Sequence, residues 1–257
     1  MNYLFTICGR AGSKGAKAKN CRNFNGIPIL HYSLAAATLF ASLSSNDVVH
    51  ICINTDSEQL NEIGRGWHYD IQFAKRDPEH AHDTSAKLPA IKDSLSQMEE
   101  KMGIKYECVV DLDITSPIRT VRHIADAVDK RASGDYDVVF SVAEARRNPY
   151  FNMVEEMPDG SCQKVIESTF TARQQAPLLY DMNASIYAWK PEFLRQNTTG
   201  LFLVPDVRCS FVEMQDTGIL DIDSEWDFSL MEHIALFMKN HDKEIANVFE
   251  LARSEGK

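Results

Sequence analysis

The sequence predicts an α/β protein built on a mostly parallel sheet flanked by helices, and three features carry that expectation. Short apolar, β-branched runs alternate with helix-like stretches from residue 3 to about residue 142. That is the pattern of βα units whose strands are buried on both faces. The first run, Tyr3 to Cys8, passes directly into Gly9-Arg10-Ala11-Gly12-Ser13-Lys14-Gly15, a turn of glycines and cations suited to a bound anion. The 257 residues, 44% hydrophobic and 25% charged, fit one large globular domain spanning 1–257.

The elements follow in order. After the glycine loop, an Ala- and Leu-rich helix runs from Leu30 to Leu43 and stops in a Ser-Ser-Asn-Asp turn. Val48 to Ile53 is a second strand, closed by Asn54-Thr55-Asp56-Ser57, with Ser57 opening a short helix to about Gly64. Ile71 to Ala74 is a third strand. Asp83-Thr84-Ser85 caps a long helix from Ala86 to about Met102. Tyr106 to Asp113 is a strand ending in acids, Val121 to Arg131 a helix, and Asp137 to Val142 a fifth strand. From about Glu144 to Tyr187 turn signals such as Met157-Pro158-Asp159-Gly160 separate short pieces, so this stretch is expected to be an inserted hairpin-like excursion. Strand character returns at Ala184 to Trp189 and at Val212 to Met214. Gly218 to Asp223 precedes a helix from about Ser224 to Lys239.

Composition excludes several classes of function. A net charge of −10 argues against general nucleic-acid binding, so the N-terminal cations are a local feature suited to a small anion. The six cysteines are scattered without a C-x-x-C pair and fall partly in strand-like runs; free, mostly buried thiols are expected, not a structural zinc site. The eight histidines have no metal-ligand spacing. The opening apolar run is too short for a signal peptide, and no segment reaches the roughly 20 apolar residues of a membrane span. The expected location is the cytoplasm.

The glycine loop is not one of the two commonest phosphate motifs. A P-loop has four residues between its first glycine and Gly-Lys-Ser/Thr, and the dinucleotide fingerprint is G-x-G-x-x-G; here the spacing is G-x-x-G-x-x-G. An ordinary βα turn remains the plain alternative, although Arg10, Lys14, Lys17, Lys19 and Arg22 are more cations than a turn needs. Two acidic pairs, Asp111/Asp113 and Asp221/Asp223, each place two carboxylates at i and i+2, on one face of an extended chain. Carboxylates beside a phosphorylated substrate are the usual ligands of Mg²⁺. Helix capping is the plain alternative for either pair alone. Arg76 with Asp83-Thr84-Ser85 is a second polar cluster that could read a base and ribose, or merely cap a helix. Arg173-Gln174 with Tyr180 and Asn183 is a third, in which Arg173 would suit a substrate carboxylate or a surface ion pair.

Taken in order, these clusters resemble the cytidylyltransferases that activate nine-carbon acidic sugars, the CMP–sialic acid (N-acylneuraminate) synthetases and their bacterial relatives. That family's Ala-Arg-Gly-Gly-Ser-Lys-Gly…Gly-Lys-Asn opening is similar to Gly9 through Gly15 followed by Ala18-Lys19-Asn20. Its Ser-Thr-Asp-Ser resembles Asn54 to Ser57, and its Arg-Pro-x-x-x-Ala-x-Asp resembles Arg76 to Asp83. Its Gln-Pro-Thr-Ser-Pro-Leu-Arg resembles Asp113 to Arg119, and its Phe-Ser-Val resembles Phe140 to Val142. Its Arg-Gln…Asn-Gly-Ala-Ile-Tyr resembles Arg173 to Tyr187, and its Asp-Ile-Asp-x-x-x-Asp-Phe resembles Asp221 to Phe228. The similarity spans nearly the whole chain.

The resemblance implies a Rossmann-like nucleotidyltransferase fold, with 144–187 as a sugar-covering and dimerisation element of a homodimer. It implies CTP and an acidic nine-carbon sugar as substrates, with no nucleic acid or membrane partner. Arg10, Gly12, Ser13, Lys14 and Lys19 would hold the triphosphate, Arg10, Lys14 and Lys19 catalytically. Asn20, Arg76, Ser85, Lys87 and Asp113 would contact the nucleotide. Asp221 and Asp223, with Asp113 available to join them, would bind Mg²⁺. Arg173, Gln174, Tyr180, Asn183 and Tyr187 would face the sugar acid. The implied reaction is attack of the sugar's anomeric hydroxyl on the α-phosphate of CTP with loss of pyrophosphate.

Departures from the pattern point to a different sugar acid, such as legionaminic or pseudaminic acid. Asp113 replaces Gln, Ala11 and Ala18 replace loop glycines, Lys17 replaces a proline, and Ala184-Ser185 replaces Gly-Ala, expected to crowd the sugar pocket slightly. Use of another nucleotide or a sugar phosphate, or nucleotide binding without turnover, are the alternatives.

Overall fold

In the computed structural model the described residues are 1–12, 16–43, 46–82, 85–217 and 221–254. The chain starts with β1 (Asn2–Gly9), whose apolar run is buried on both faces because it pairs in parallel with a strand on each side. A small hairpin, β2 (Asn23–Phe24) and β3 (Ile27–Pro28), leads into α1 (Leu30–Leu43). Then come β4 (Val48–Thr55), α2 (Glu58–Arg65), β5 (Ile71–Lys75), α3 (Lys87–Met102), β6 (Cys108–Leu112), α4 (Val121–Gly134) and β7 (Val138–Glu144). A detached hairpin, β8 (Val154–Glu156) and β9 (Cys162–Lys164), precedes β10 (Tyr180–Trp189), α5 (Pro191–Gln196), β11 (Cys209–Glu213), α6 (Glu225–His241) and α7 (Lys243–Ser254).

Seven strands form the main sheet in the order β11-β7-β10-β6-β1-β4-β5, all parallel except β10, which runs antiparallel to both β6 and β7. One face packs on α1, α4, α6 and α7, the other on α3 and α5. The chain steps outward from β1 to β4 and β5, then returns to lay β6 on the opposite side of β1. Strand order therefore reverses between β1 and β6, and open α/β sheets bind ligands outside the carboxyl ends of the strands at such a point. The glycine loop leaves β1 there, and Asp113 follows β6.

Local chemistry fixes most helix starts. The Ser57 hydroxyl accepts from the Leu60 N–H at 3.3 Å, and Thr120 with His123 and Ser224 with Asp227 form reciprocal caps for α4 and α6. The expected cap of α3 is different. Asp83 and Thr84 lie outside the described residues, Ala86 occupies the cap position, and the Ser85 hydroxyl donates instead to the Glu79 carbonyl at 3.0 Å.

Three further expectations are corrected. Residues 180–187 belong to the main sheet, so the inserted excursion covers 145–179 and its paired part is the β8–β9 hairpin alone. Helix α7, packed on α1, was not anticipated. Residues 221–223 pair with no strand among the described residues; Ile222 is buried while Asp223 is exposed. The thiols agree with expectation: Cys8, Cys52 and Cys108 are buried and all six are free, with Cys162 exposed on the hairpin.

Two alanines standing where the family pattern has glycine adopt left-handed backbone: Ala18 at φ 50° and Ala184 at φ 54°. A Cβ disfavours that region by about 1–2 kcal/mol, partly offset by the greater unfolded-state freedom of glycine. Ala184→Gly is accordingly expected to raise the melting temperature by about 1–3 °C; a lower melting temperature in thermal denaturation would contradict the strain.

Candidate active site

Five parallel strands end toward one edge, and their exits carry the site: Gly9-Arg10 after β1, Asp56 after β4, Arg76 after β5, Asp113 after β6 and Glu144 at the end of β7. The glycine loop is tied down from several sides. The Ala11 N–H donates to Asp56 Oδ1 at 2.8 Å, and Arg10 Nη1 donates to the His82 carbonyl at 2.8 Å. Asn20, buried, donates from Nδ2 to the Arg10 carbonyl at 3.1 Å, closing the loop on itself. Gly9 leaves no room for a side chain: a Cβ there would stand 2.7 Å from Ile114 Cδ1 and 2.8 Å from Leu60 Cδ1. Gly12 is exposed with open space around it, while Ser13 and Lys14 lie outside the described residues.

Lys19 carries the loop to the acids. Its ammonium donates to the Ile222 carbonyl and stands 3.2 Å from Asp223 Oδ1. Asp221, next door, is largely buried; burial, then the Asp113 charge, pushes its carboxyl above the ordinary carboxylate range. A carboxyl raised by burial beside a second carboxylate is eased by a cation, although no three metal-ligating side chains come together among the described residues.

Asp113 itself is held by Lys87, the first residue of α3. The Lys87 Nζ lies 2.7 Å from Asp111 Oδ2 and 2.7 Å from Asp113 Oδ2, so the i, i+2 spacing does put both carboxylates on one face of β6. Asp111 is fully buried, and its other oxygen accepts from the Thr6 hydroxyl at 2.9 Å. Burial alone would depress the Lys87 ammonium, but Asp111 and Asp113 more than reverse this and its pKa is raised. Burial works against the Asp113 carboxylate too; Lys87 and the Thr115 N–H and hydroxyl, at 3.0 and 2.8 Å, overcome it and hold the pKa at about 2. Lys87 was expected beside cytosine and ribose; its ammonium is instead engaged by the acidic pair.

Arg76 is buried, and its Nε has no hydrogen-bond partner among the described residues. Beside it, the Gln97 side chain grips the Lys75 backbone by two hydrogen bonds of 2.9 Å, fixing the end of the edge strand β5. A buried guanidinium with an unpaired donor at the ligand edge fits a polar ligand such as a base or ribose.

The expected sugar-side residues fall in separate places. Asn183 lines a small pocket, of about 20 Å³, with Ser116, Ile118, Ser185 and Met214. Arg173 and Gln174 line a different depression, of about 430 Å³, with Asn148 and Ala176–Leu179, and the Arg173 Nη2 donates to Glu144 Oε1 at 2.8 Å and to the Ala145 carbonyl at 2.9 Å. Tyr180 packs on Phe211, and Tyr187 stacks on Trp189 with ring centroids 4.6 and 5.6 Å apart. Burial, only partly countered by the Lys87 charge, raises the Tyr187 phenol to about 12, so it stays protonated at neutral pH.

Sequence reasoning gave no site role to four residues that build this site: Thr6, and Asp56, Thr115 and Arg119, the last three inside the motifs quoted above. Arg119 is fully buried and reaches four acceptors from three elements. Its place as the last residue of the Asp113–Arg119 motif was the available signal. Ser185, expected to crowd the sugar pocket, points its hydroxyl at Arg119 Nε, 3.1 Å away, and is 2% exposed.

Comparison with known proteins gives three findings. The family model described as Cytidylyltransferase matches residues 4–201. The chain is 38% identical over 237 residues to post-translational flagellin modification protein B of Campylobacter coli, covering 90% of this chain and 94% of that protein. It is 37% identical over 243 residues to the CMP-N,N′-diacetyllegionaminic acid synthase of Campylobacter jejuni, covering 92% and 96%. An N-acylneuraminate cytidylyltransferase of Streptococcus agalactiae is 29% identical over 233 residues; this chain spans about half of it, 52% of its length. Among solved structures, CMP:2-keto-3-deoxy-manno-octonic acid synthetase complexed with CTP superposes with a TM-score of 0.64 at 13% identity, covering 93% of this chain and all of that one. At that identity the likeness establishes the fold.

Two expected outcomes follow from the Lys87 bridge. Lys87→Met leaves buried Asp111 unpaired and destabilises the chain by about 3 kcal/mol at pH 7 in urea denaturation. The Asp113 pKa is depressed from 3.8 to about 2, so the stability it lends is present above 3.8 and lost as pH falls through 2. The gap between wild type and Lys87→Met therefore narrows between pH 4 and pH 2; a gap independent of pH over that window would contradict the assignment.

Proposed function

Since the chain belongs to the cytidylyltransferase family, whose model matches residues 4–201, we propose that it transfers CMP from CTP to the anomeric hydroxyl of a nonulosonic acid, releasing pyrophosphate. The observation that carries this reading is the meeting of the glycine loop, through Lys19, with the 221–223 acids beside Asp113, at the point where strand order reverses. The two Campylobacter relatives, alike over nearly their full lengths, favour a legionaminic-type acid as the sugar.

In this proposal the loop cradles the triphosphate with its N–H groups, and Arg10, Lys14 and Lys19 offset charge on the phosphates and on departing pyrophosphate. Asn20 and Gly12 would shape the loop, while Arg76 and Ser85 would lie around base and ribose. Asp221, its carboxyl raised by burial and the Asp113 charge, would hold Mg²⁺ with Asp113 or Asp223, since that ion binds through one or two carboxylates plus substrate phosphates. When bound, the metal would supply Lewis-acid stabilisation of the α-phosphate and lower the pKa of a nearby hydroxyl. Asn183 would orient the sugar acid; Arg173 and Gln174 would meet its carboxylate where the excursion folds toward the edge. Tyr180 and Tyr187 would act as packed walls. Most of the rate enhancement would come from holding hydroxyl and α-phosphate in line, with charge stabilised in place.

The homodimer belongs to the same proposal: Met153, Val154, Val165 and Ile166 are exposed on and beside the β8–β9 hairpin, an apolar patch suited to a second copy.

A pyrophosphate-release screen tests the reading. Release is expected from CTP, only with a nonulosonic acid present, and strongest with N,N′-diacetyllegionaminic acid among those tried. Asp221→Ala is expected to reduce turnover by at least about 100-fold. Stabilisation of the chain by GTP or UTP but not CTP, or full activity of Asp221→Ala, would count against it.

A further inference from the structure

Arg119, like Asp111, is a fully buried charged residue at the site, and it takes no part in the chemistry above. Its four acceptors are all uncharged: Nη1 donates to the Ser33 hydroxyl at 2.7 Å, Nε to the Ser185 hydroxyl at 3.1 Å, and Nη2 to the carbonyls of Asp113 and Ser116. A buried guanidinium is costly unless its donors are matched, and its planar fork holds several acceptors in one fixed geometry as a lysine ammonium cannot. Three elements are thereby joined: α1, the turn after β6, and β10.

The β10 end of this link is irregular. The pairing of β10 with β7 shifts register between Met182 and Tyr187, and Ala184 sits there in left-handed backbone. Every neighbour of Ala184 is held. The Ser116 hydroxyl donates to the Asn183 carbonyl at 3.0 Å, and the Ser141 hydroxyl donates to Asn183 Oδ1 at 2.6 Å. The Asp113 N–H donates to the Ser185 carbonyl at 3.2 Å, and Arg119 holds the Ser185 hydroxyl. Asn183 lines the small pocket at the end of this bulge.

We infer that Arg119 is a positioning residue: by gripping the Asp113 carbonyl and the Ser185 hydroxyl at once, it sets the separation between the acid on the nucleotide side and Asn183 on the sugar side. Ser185, which replaces an alanine of the family pattern, makes the bulge in this chain part of that link and so tunes recognition of the sugar acid. The inference rests on the proposed two-substrate reading.

Steady-state kinetics of the full chain with CTP and N,N′-diacetyllegionaminic acid tests it. Ser185→Ala removes one hydrogen bond to a charged donor, and the sugar KM is expected to rise about tenfold while kcat and the CTP KM stay within about twofold. Arg119→Lys keeps the charge but loses the fork; kcat/KM for the sugar acid is expected to fall more than about 100-fold if the chain folds. A sugar KM unchanged in Ser185→Ala, or equal losses in both substrates accompanied by a lower melting temperature, would overturn the positioning role while leaving the cytidylyltransferase reading intact. Absence of wild-type turnover with CTP and any nonulosonic acid would remove that reading and this inference with it.

Discussion

The Lys87 ammonium, seated between Asp111 and Asp113, is the interaction on which the geometry of the site depends. Asp111 is fully buried in the middle of the sheet, where an unpaired polar group is costly. Lys87 provides the pairing from the first turn of α3, so helix and strand are locked at the ligand edge. The same ammonium keeps Asp113 ionised well below the normal range, and Asp113 in turn raises Asp221. A chain of charges thus runs from α3 through β6 to the 221–223 segment, where Lys19 brings in the glycine loop. Removing any one member changes the field felt by the others.

Behind this chain of charges stands a second layer that carries no net pairing. Thr6, Thr115 and Arg119 each bind a backbone or carboxylate atom of the acids and none is exposed to a ligand in bulk. Such residues hold the first layer in position; a displacement of 1 Å in an in-line transfer is expensive in rate. Asp56 does the same for the loop through the Ala11 N–H.

Much of this was legible in the sequence because it is local. Strand runs and the i, i+2 acid spacing depend on neighbours along the chain, and the runs place β1, β4, β5, β6 and β7 correctly. What escaped is what depends on distant partners. The antiparallel insertion of β10 between β6 and β7 needs pairing information that an apolar run does not carry. Lys87 looks like any surface lysine at a helix start until β6 is brought beside it. Ser85 looks like a cap until its hydroxyl is seen on Glu79. Ser185 and Arg119 are far apart in sequence and announce each other only in the fold. Glycine-to-alanine changes at 18 and 184 were visible as departures, but their meaning, left-handed backbone, was not.

The account's central claim is that the glycine loop and the acids near residues 113 and 221 form one nucleotide–metal site. Calorimetric titration of CTP with and without Mg²⁺, in wild type and in Asp221→Asn, addresses it most directly. Wild type is predicted to bind CTP at least about tenfold more tightly with Mg²⁺, and Asp221→Asn to lose most of that gain while retaining its metal-free affinity. An equal gain from Mg²⁺ in the two proteins would contradict the claim.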